Sequence, residues 1–209
     1  MPIFDHMTMV APSLEEGISY LEDMVGIELV NGAKHVDMAT HNRRIKLGVD
    51  CYLEVIAPDP QANAPAQARW FGLDQIEDVR AAWSQGRRLR GWVARTNQID
   101  AVLATHGHLL GTKRWLDGHF YFSVPDEGKL PLGGVLPSII DVQNAVPTAV
   151  SLDDQSIILD DFTIEHPSPD DVTFLYEEIG LENAPKVVFG KEFLYRATLR
   201  TPTRSVTIR

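Results

Sequence analysis

Residues Ile3 to Val10 read as a strand, with His6, Thr8 and Val10 on one side of it by the period of two. Ser13 follows as an N-cap, and Glu15 and Glu16 suit the positive end of a helix dipole. Leu14, Ile18, Leu21 and Val25 then recur at helical spacing, and Gly26 stands where a left-handed residue would close the helix. The stretches Ile27 to Val30, Arg44 to Leu47 and Cys51 to Ile56 read as strands, the last two joined by a turn at Gly48-Val49-Asp50. Between them, Gly32 to Arg43 shows no strand alternation and reads as a polar loop. Pro58-Asp59-Pro60 stops the unit, whose order is β-α-β-β-β.

The order recurs. A connector rich in Pro, Ala and Gln runs from Ala57 to Gln67, and a helix is predicted over Leu73 to Ser84. Gly91 to Thr96 then reads as a strand and Ile99 to Thr105 as a helix ended by Gly107, which leaves His106 and His108 at its end. Leu110 to Leu116, His119 to Val124 and Ser138 to Val142 complete a second set. A third, partial set begins near Ile157. Asp160-Asp161-Phe162-Thr163-Ile164-Glu165-His166-Pro167 parallels Asp5-His6-Met7-Thr8-Met9-Val10-Ala11-Pro12, and each leads into an acidic helix start. Lys186 to Phe189, Phe193 to Thr201 and Ser205 to Ile208 supply its strands. The units span about 1–60, 88–144 and 157–209 of one domain. None can bury its sheet face alone, so sheets joined around a shared cavity are the expected solution. The third unit either extends the first unit's sheet or pairs with it while the middle unit is peripheral.

Charge narrows the partners. A formal net charge of -10 lacks the basic footprint of nucleic-acid binding and disfavours anionic membrane surfaces. The single cysteine, Cys51, allows no internal disulfide. No signal peptide or membrane-length apolar run is visible, so a cytoplasmic location is expected.

Candidate chemistry centres on His6 and Glu54. Glu54 lies inside the apolar run Cys51 to Ile56, where a carboxylate is costly unless paired or bound to a cation. It is either a buried functional acid or a residue of a solvated strand face. Asp141 holds the matching place in the second unit. His35, His41, Asn42 and Arg43 in the polar stretch could orient a substrate carboxylate or carbonyl. Trp92, Arg114, Trp115 and His119 cluster by position; Arg114 could hold an anion, and the two tryptophans suit a core.

These stretches resemble the glyoxalase-like proteins of the vicinal oxygen chelate superfamily. Gly32…His35…Thr40-His41-Asn42-Arg43 is similar to that group's G-G-x-H-x-x-x-x-T-x-N segment, with Ala33 in place of the second glycine. Tyr52-Leu53-Glu54-Val55-Ile56 is similar to its Y-L-E-L-I strand, and Arg114…Asp117-Gly118 and Leu136-Pro137…Ile140-Asp141 to its second-module pattern. The resemblance implies an α+β fold of βαβββ modules in a cupped mixed sheet. It implies a divalent metal (Zn, Mn, Ni or Fe) at His6, Glu54 and Asp141 and a small oxygenated metabolite as substrate; without the metal, Glu54 is the catalytic candidate, as a general base. His35, His41, Asn42, Arg43, Trp92, Arg114 and His119 are then the substrate-binding candidates. The first strand of the second unit, Gly91 to Thr96, has no His or acid, so the ligand set departs from the pattern. The activities open at this point are a metal-dependent lyase, isomerase or dioxygenase, or a metal-free sequestering protein. The superfamily's members often form homodimers.

Overall fold

The first unit of the computed structural model, which describes residues 1–209, starts with strand β1 (Ile3–Val10) and helix α1 (Leu14–Val25). Strands β2 (Gly32–His35), β3 (Thr40–Lys46) and β4 (Tyr52–Pro58) follow. The caps of α1 are those predicted: Ser13 accepts the Glu16 N–H, and Gly26 takes φ 77° and donates to the Glu22 carbonyl. Two expectations change. Ile27 to Val30 is not a strand; Leu29 is buried beside the end of α1, and its N–H donates to the Glu22 carboxylate at 2.8 Å. The polar stretch Gly32 to Arg43 is a hairpin rather than a loop, with His35 opposite Thr40. β2 is an edge strand with half its residues facing water, so no apolar alternation marks it.

After the connector come α2 (Ile76–Ser84), β5 (Leu89–Arg95), α3 (Ile99–Leu110), β6 (Thr112–Leu116), β7 (Phe120–Val124) and β8 (Ser138–Asp141). Helix α3 runs past Gly107 to the buried Leu110 and stops at Gly111, at φ 90°. His106 and His108 therefore lie on the helix, not beyond it. A short helix, α4 (Thr148–Ser151), leads to the third unit: β9 (Ile158–His166), α5 (Pro169–Ile179), β10 (Lys186–Phe189), β11 (Leu194–Arg200) and β12 (Ser205–Ile208).

The first two units share one eight-stranded sheet, ordered β2-β3-β4-β1-β5-β8-β7-β6. They join where β1 pairs antiparallel with β5; within each unit the first and last strands are parallel. Strand twist curls so wide a sheet into a cup. Its outer ends are tied together. Asp117, at φ 51° before Gly118 at φ 74°, turns β6 into β7 in the conformation a tight hairpin needs. The Asp117 carboxylate holds His35 Nδ1 at 2.7 Å and accepts the Asp37 N–H at 3.2 Å, while the Asp117 N–H donates to Asp37 at 2.6 Å.

The third unit adds no strand to that sheet. It builds its own, ordered β10-β9-β11-β12, and backs onto the convex side of the cup. Both arrangements left open by the sequence give way to this one. Alternation divides the central strands cleanly. Met7, Met9, Leu53, Val55, Trp92 and Ala94 face the core shared with the third unit, while Val10, Ile56, Val93 and Ile140 face the concavity. No helix is long and apolar enough to cross a membrane.

Candidate active site in the concave sheet

The floor of the cup is set by the parallel pairing of β1 with β4, which aligns His6 with Tyr52 and Thr8 with Glu54. The His6 and Tyr52 rings stack at 4.3 Å. His6 Nδ1 lies 2.8 Å from the Asp5 carboxylate, whose other oxygen accepts the Arg95 Nε–H at 3.0 Å. His6 Nε2 lies 3.7 Å from Glu54 Oε2, and both residues are buried. Burial alone would strip charge from each. For His6 it is outweighed by Asp5 and Glu54, which raise its pKa to about 9. For Glu54 burial is likewise outweighed, by His6 and by the Asn42 hydrogen bond, and the carboxyl falls below its ordinary range. The pair is an imidazolium and a carboxylate at neutral pH. Burial beside Asp5 and Glu54 pushes the Tyr52 phenol well upward, so it stays neutral.

The hairpin of β2 and β3 orients Glu54 from one side. Asn42 Oδ1 accepts the Ala33 N–H at 2.7 Å, which aims the amide nitrogen at two acceptors. Asn42 Nδ2 donates to Glu54 Oε1, and it lies 3.1 Å from His35 Nε2. His35 must then carry its proton on Nδ1, where Asp117 accepts it. The hydrogen bond from His35 and the Asp37 N–H hold the Asp117 carboxyl below its usual value despite its burial. Gly32 is needed here by close approach: a Cβ would stand 2.4 Å from the Asn42 carbonyl.

The walls are apolar and leave a cavity of about 200 Å³. Phe120 and Phe122 come from β7, and Trp70 and Phe71 from the end of the connector. Trp70 meets Phe122 edge-on at 5.0 Å and His35 at 4.9 Å. Ile140, Val142 and Val146 close one side, with Thr148 and Ser151 of α4 at the rim. Arg44 lines the same cavity, and its buried Nε has no hydrogen-bond partner; the buried Trp70 Nε1 has none either.

His6, His35, Asn42, Glu54 and His119 line the cavity, His119 as an exposed residue at its mouth with Nδ1 2.9 Å from the Asp117 carbonyl. Other candidates stand elsewhere. Asp141 is turned away because Ile140 and Val142 occupy the inward positions, and its carboxylate accepts the Gln143 N–H. His41 and Arg43 alternate with Asn42 and Arg44 and point from the cavity; Arg43 donates to the Asn42 carbonyl. Trp92 is a core residue between the two sheets, 5.5 Å from Tyr176. Arg114 braces the connector by donating to the Ala68 carbonyl at 2.7 Å. Trp115, expected in a core, is 48% exposed. Burial pushes the Cys51 thiol up to about 11, so it is no nucleophile. Trp70, Phe71, Arg44 and Tyr52 also line the cavity, beyond the residues expected there. Only the Trp70-Phe71 pair just past a polar connector carried a signal.

A divalent metal does not fit these side chains. His6 and Glu54 offer two donors, whereas protein sites for such ions use three or four. The strands of the second unit that match β1 and β4, namely β5 and β8, present Val93 and Ile140. His35 is spent on Asp117 and Asn42, and no third His, Cys, Asp or Glu completes a cluster.

A family model described as a glyoxalase-like domain matches residues 4–180. Among solved structures, a hypothetical protein from Staphylococcus aureus is 12% identical, with 99% of this chain and 84% of that one covered and a TM-score of 0.53. A variant of methylmalonyl-CoA epimerase from Streptomyces coelicolor, solved in complex with 2-nitronate-propionyl-CoA, is 14% identical over 68% of this chain and 97% of its own, with a TM-score of 0.45. The epimerase from Mycobacterium tuberculosis is 17% identical over 68% and 88%, with a TM-score of 0.42. No curated protein matches by sequence. The first of these likenesses is one of fold, and the family match covers both units of the cup and the start of the third. With the βαβββ pairing and the Gly32-to-Asn42 hairpin in place, the chain belongs to the glyoxalase-like domain family of the vicinal oxygen chelate superfamily.

Proposed function

We propose that the chain is an enzyme that moves a proton on a small, anionic, carbonyl-bearing metabolite held in the cup. The observation that carries this reading is the His6–Glu54 pair. Its facing atoms stand 3.7 Å apart, too far for a hydrogen bond, on the floor of an aromatic cavity. Glu54 takes a proton from the carbon beside the carbonyl, and its own carboxyl group holds it. The electron pair left on carbon passes to the carbonyl oxygen, where the His6 Nε2–H stabilises the developing oxyanion. Returning the proton to the same or a neighbouring carbon completes an epimerisation or isomerisation with no net redox change. Asp5, itself tied to Arg95, fixes the imidazole through Nδ1. Arg44 meets the anionic end of the substrate with its unpaired guanidinium.

A second reading is a sequestering protein without turnover. The low Glu54 pKa favours it, because a carboxylate steadied by His6 and Asn42 is a weak base. Proton NMR in D₂O separates the two. A panel of small 2-oxo and 2-hydroxy acids is scored for loss of the signal next to the carbonyl. Wild type should exchange it, and Glu54→Gln should slow exchange by about 100-fold or more, the usual share of a general base. Binding without exchange supports sequestration. Binding that survives Arg44→Met intact sinks the assignment of the cavity.

A further inference from the structure

A second cavity, of about 170 Å³, lies where the third unit meets the rest of the chain. Its walls are apolar: Leu89 and Leu130 on one side, Phe193, Leu194 and Tyr195 on the other. Three arginines, Arg87, Arg90 and Arg209, also line it, in a chain whose net charge is -10. Their states differ. Arg87 is paired with Glu192. Arg90 Nη1 is buried and has no hydrogen-bond partner. The nearby Tyr195 hydroxyl donates to the Gly134 carbonyl and accepts no hydrogen bond from Arg90. Arg90 forms no salt bridge, and burial depresses its pKa, opposed only in part by Asp78 and Tyr195.

A guanidinium left unpaired against apolar walls is a costly arrangement unless an anion completes it. We infer that this cavity is a binding site for a small organic carboxylate, whose head group meets Arg90 and whose apolar body lies against Leu130, Phe193 and Leu194. The site is separate from the His6–Glu54 cavity and shares no lining residue with it. Its walls come from two units, so a bound carboxylate would bridge them and stabilise the fold by linkage.

Hexanoate is a suitable probe, with hexanol and inorganic phosphate as controls for its two halves. Thermal melting of the full chain and backbone amide NMR shifts give independent readouts. Hexanoate should raise the melting temperature in a saturable way and move the amides of Gly133 and Leu194. In Arg90→Met its affinity should fall by about tenfold or more, the effect of losing a charge-assisted contact. Arg90→Met should also melt higher than wild type when both are free, since an uncompensated buried charge is gone. Arg44→Met, in the other cavity, should leave hexanoate binding unchanged. The inference is overturned if hexanoate gives no saturable effect, if Arg90→Met binds it equally well, or if the shifts gather around Tyr52 and Glu54. It is also overturned if hexanol or phosphate alone binds as tightly, or if Arg90→Met weakens the free protein.

Discussion

His6 makes the stability of this protein depend on pH in a direction that can be worked out. An unfolded histidine titrates near pH 6.5, whereas His6 in the fold titrates at about 9. The folded state thus binds its proton more tightly, and the stabilisation is complete below about pH 6.5. It is lost as pH rises through about 9, and its size is on the order of 3 kcal/mol. Glu54 acts in the opposite sense, its contribution vanishing as pH falls through its lowered value. Cys51 also erodes stability on the alkaline side, because its thiol ionises only in the unfolded chain there. Comparing wild type with His6→Gln cancels that part. Urea midpoints should fall between pH 6.5 and 9.5 in wild type. In His6→Gln the midpoint should start lower and fall much less. A wild-type midpoint that falls no more than the variant's would mean a neutral His6 and remove the proposed oxyanion donor.

At the scale of elements, the sequence was clearest where local chemistry and packing agree. The Ser13 and Gly26 caps bracket α1, and β1 has the bounds its apolar run suggests. It was least clear where a residue's partner is distant. Leu29 is apolar for the core rather than for a strand, and β2 is polar because it is an edge. The site suffered from parity. Arg43 and Arg44 are adjacent, yet only Arg44 enters the cavity, and likewise Ile140 enters rather than Asp141. A strand's facing is set by its register with neighbours, and one residue of uncertainty reverses it. Trp70 and Phe71 reach the site from a connector whose course no periodicity encodes. A packing prediction follows from Gly17, at the end of the first turn of α1. A Cβ there would stand 2.3 Å from Val55 Cγ2 on β4 and 2.9 Å from the Ala11 Cβ. Alanine gains about 1 kcal/mol of helix propensity over glycine. Overpacking against a stiff β-branched neighbour costs about 1–3 kcal/mol, so the clash should prevail. Gly17→Ala should lower the denaturation midpoint. Adding Val55→Ala should recover part of the loss, a coupling that a double-mutant cycle would detect. Full additivity would show that α1 and β4 adjust without touching.

For the whole molecule, the question is whether the third unit is a separate body or part of one folding unit. Its sheet shares no strand pairing with the cup, which suggests independence. The core argues otherwise. One continuous apolar cluster holds Met7, Leu53 and Trp92 from the cup together with Ile164, Tyr176 and Leu199 from the third unit. Trp92 Nε1 and the Tyr176 hydroxyl both donate to the buried Val135 carbonyl, at 3.3 and 2.7 Å. Backbone contacts reinforce the joint: the Phe4 N–H donates to the Glu182 carbonyl at 3.0 Å, and the Gly48 N–H to the Ile157 carbonyl at 2.9 Å. Separating the units would expose Trp92, Phe4 and Phe162 together, so the apolar term favours joint unfolding. Urea unfolding should therefore show one transition. Tryptophan fluorescence and far-ultraviolet circular dichroism should give the same midpoint. Tyr176→Ala, made in the third unit, should shift both signals equally and by an amount typical of a large buried truncation, about 3–5 kcal/mol. Two transitions, the first losing part of the β-structure and exposing Trp92 and the second losing the remaining tryptophan signal, would mark the third unit as separable, and the second cavity would then open before the cup does.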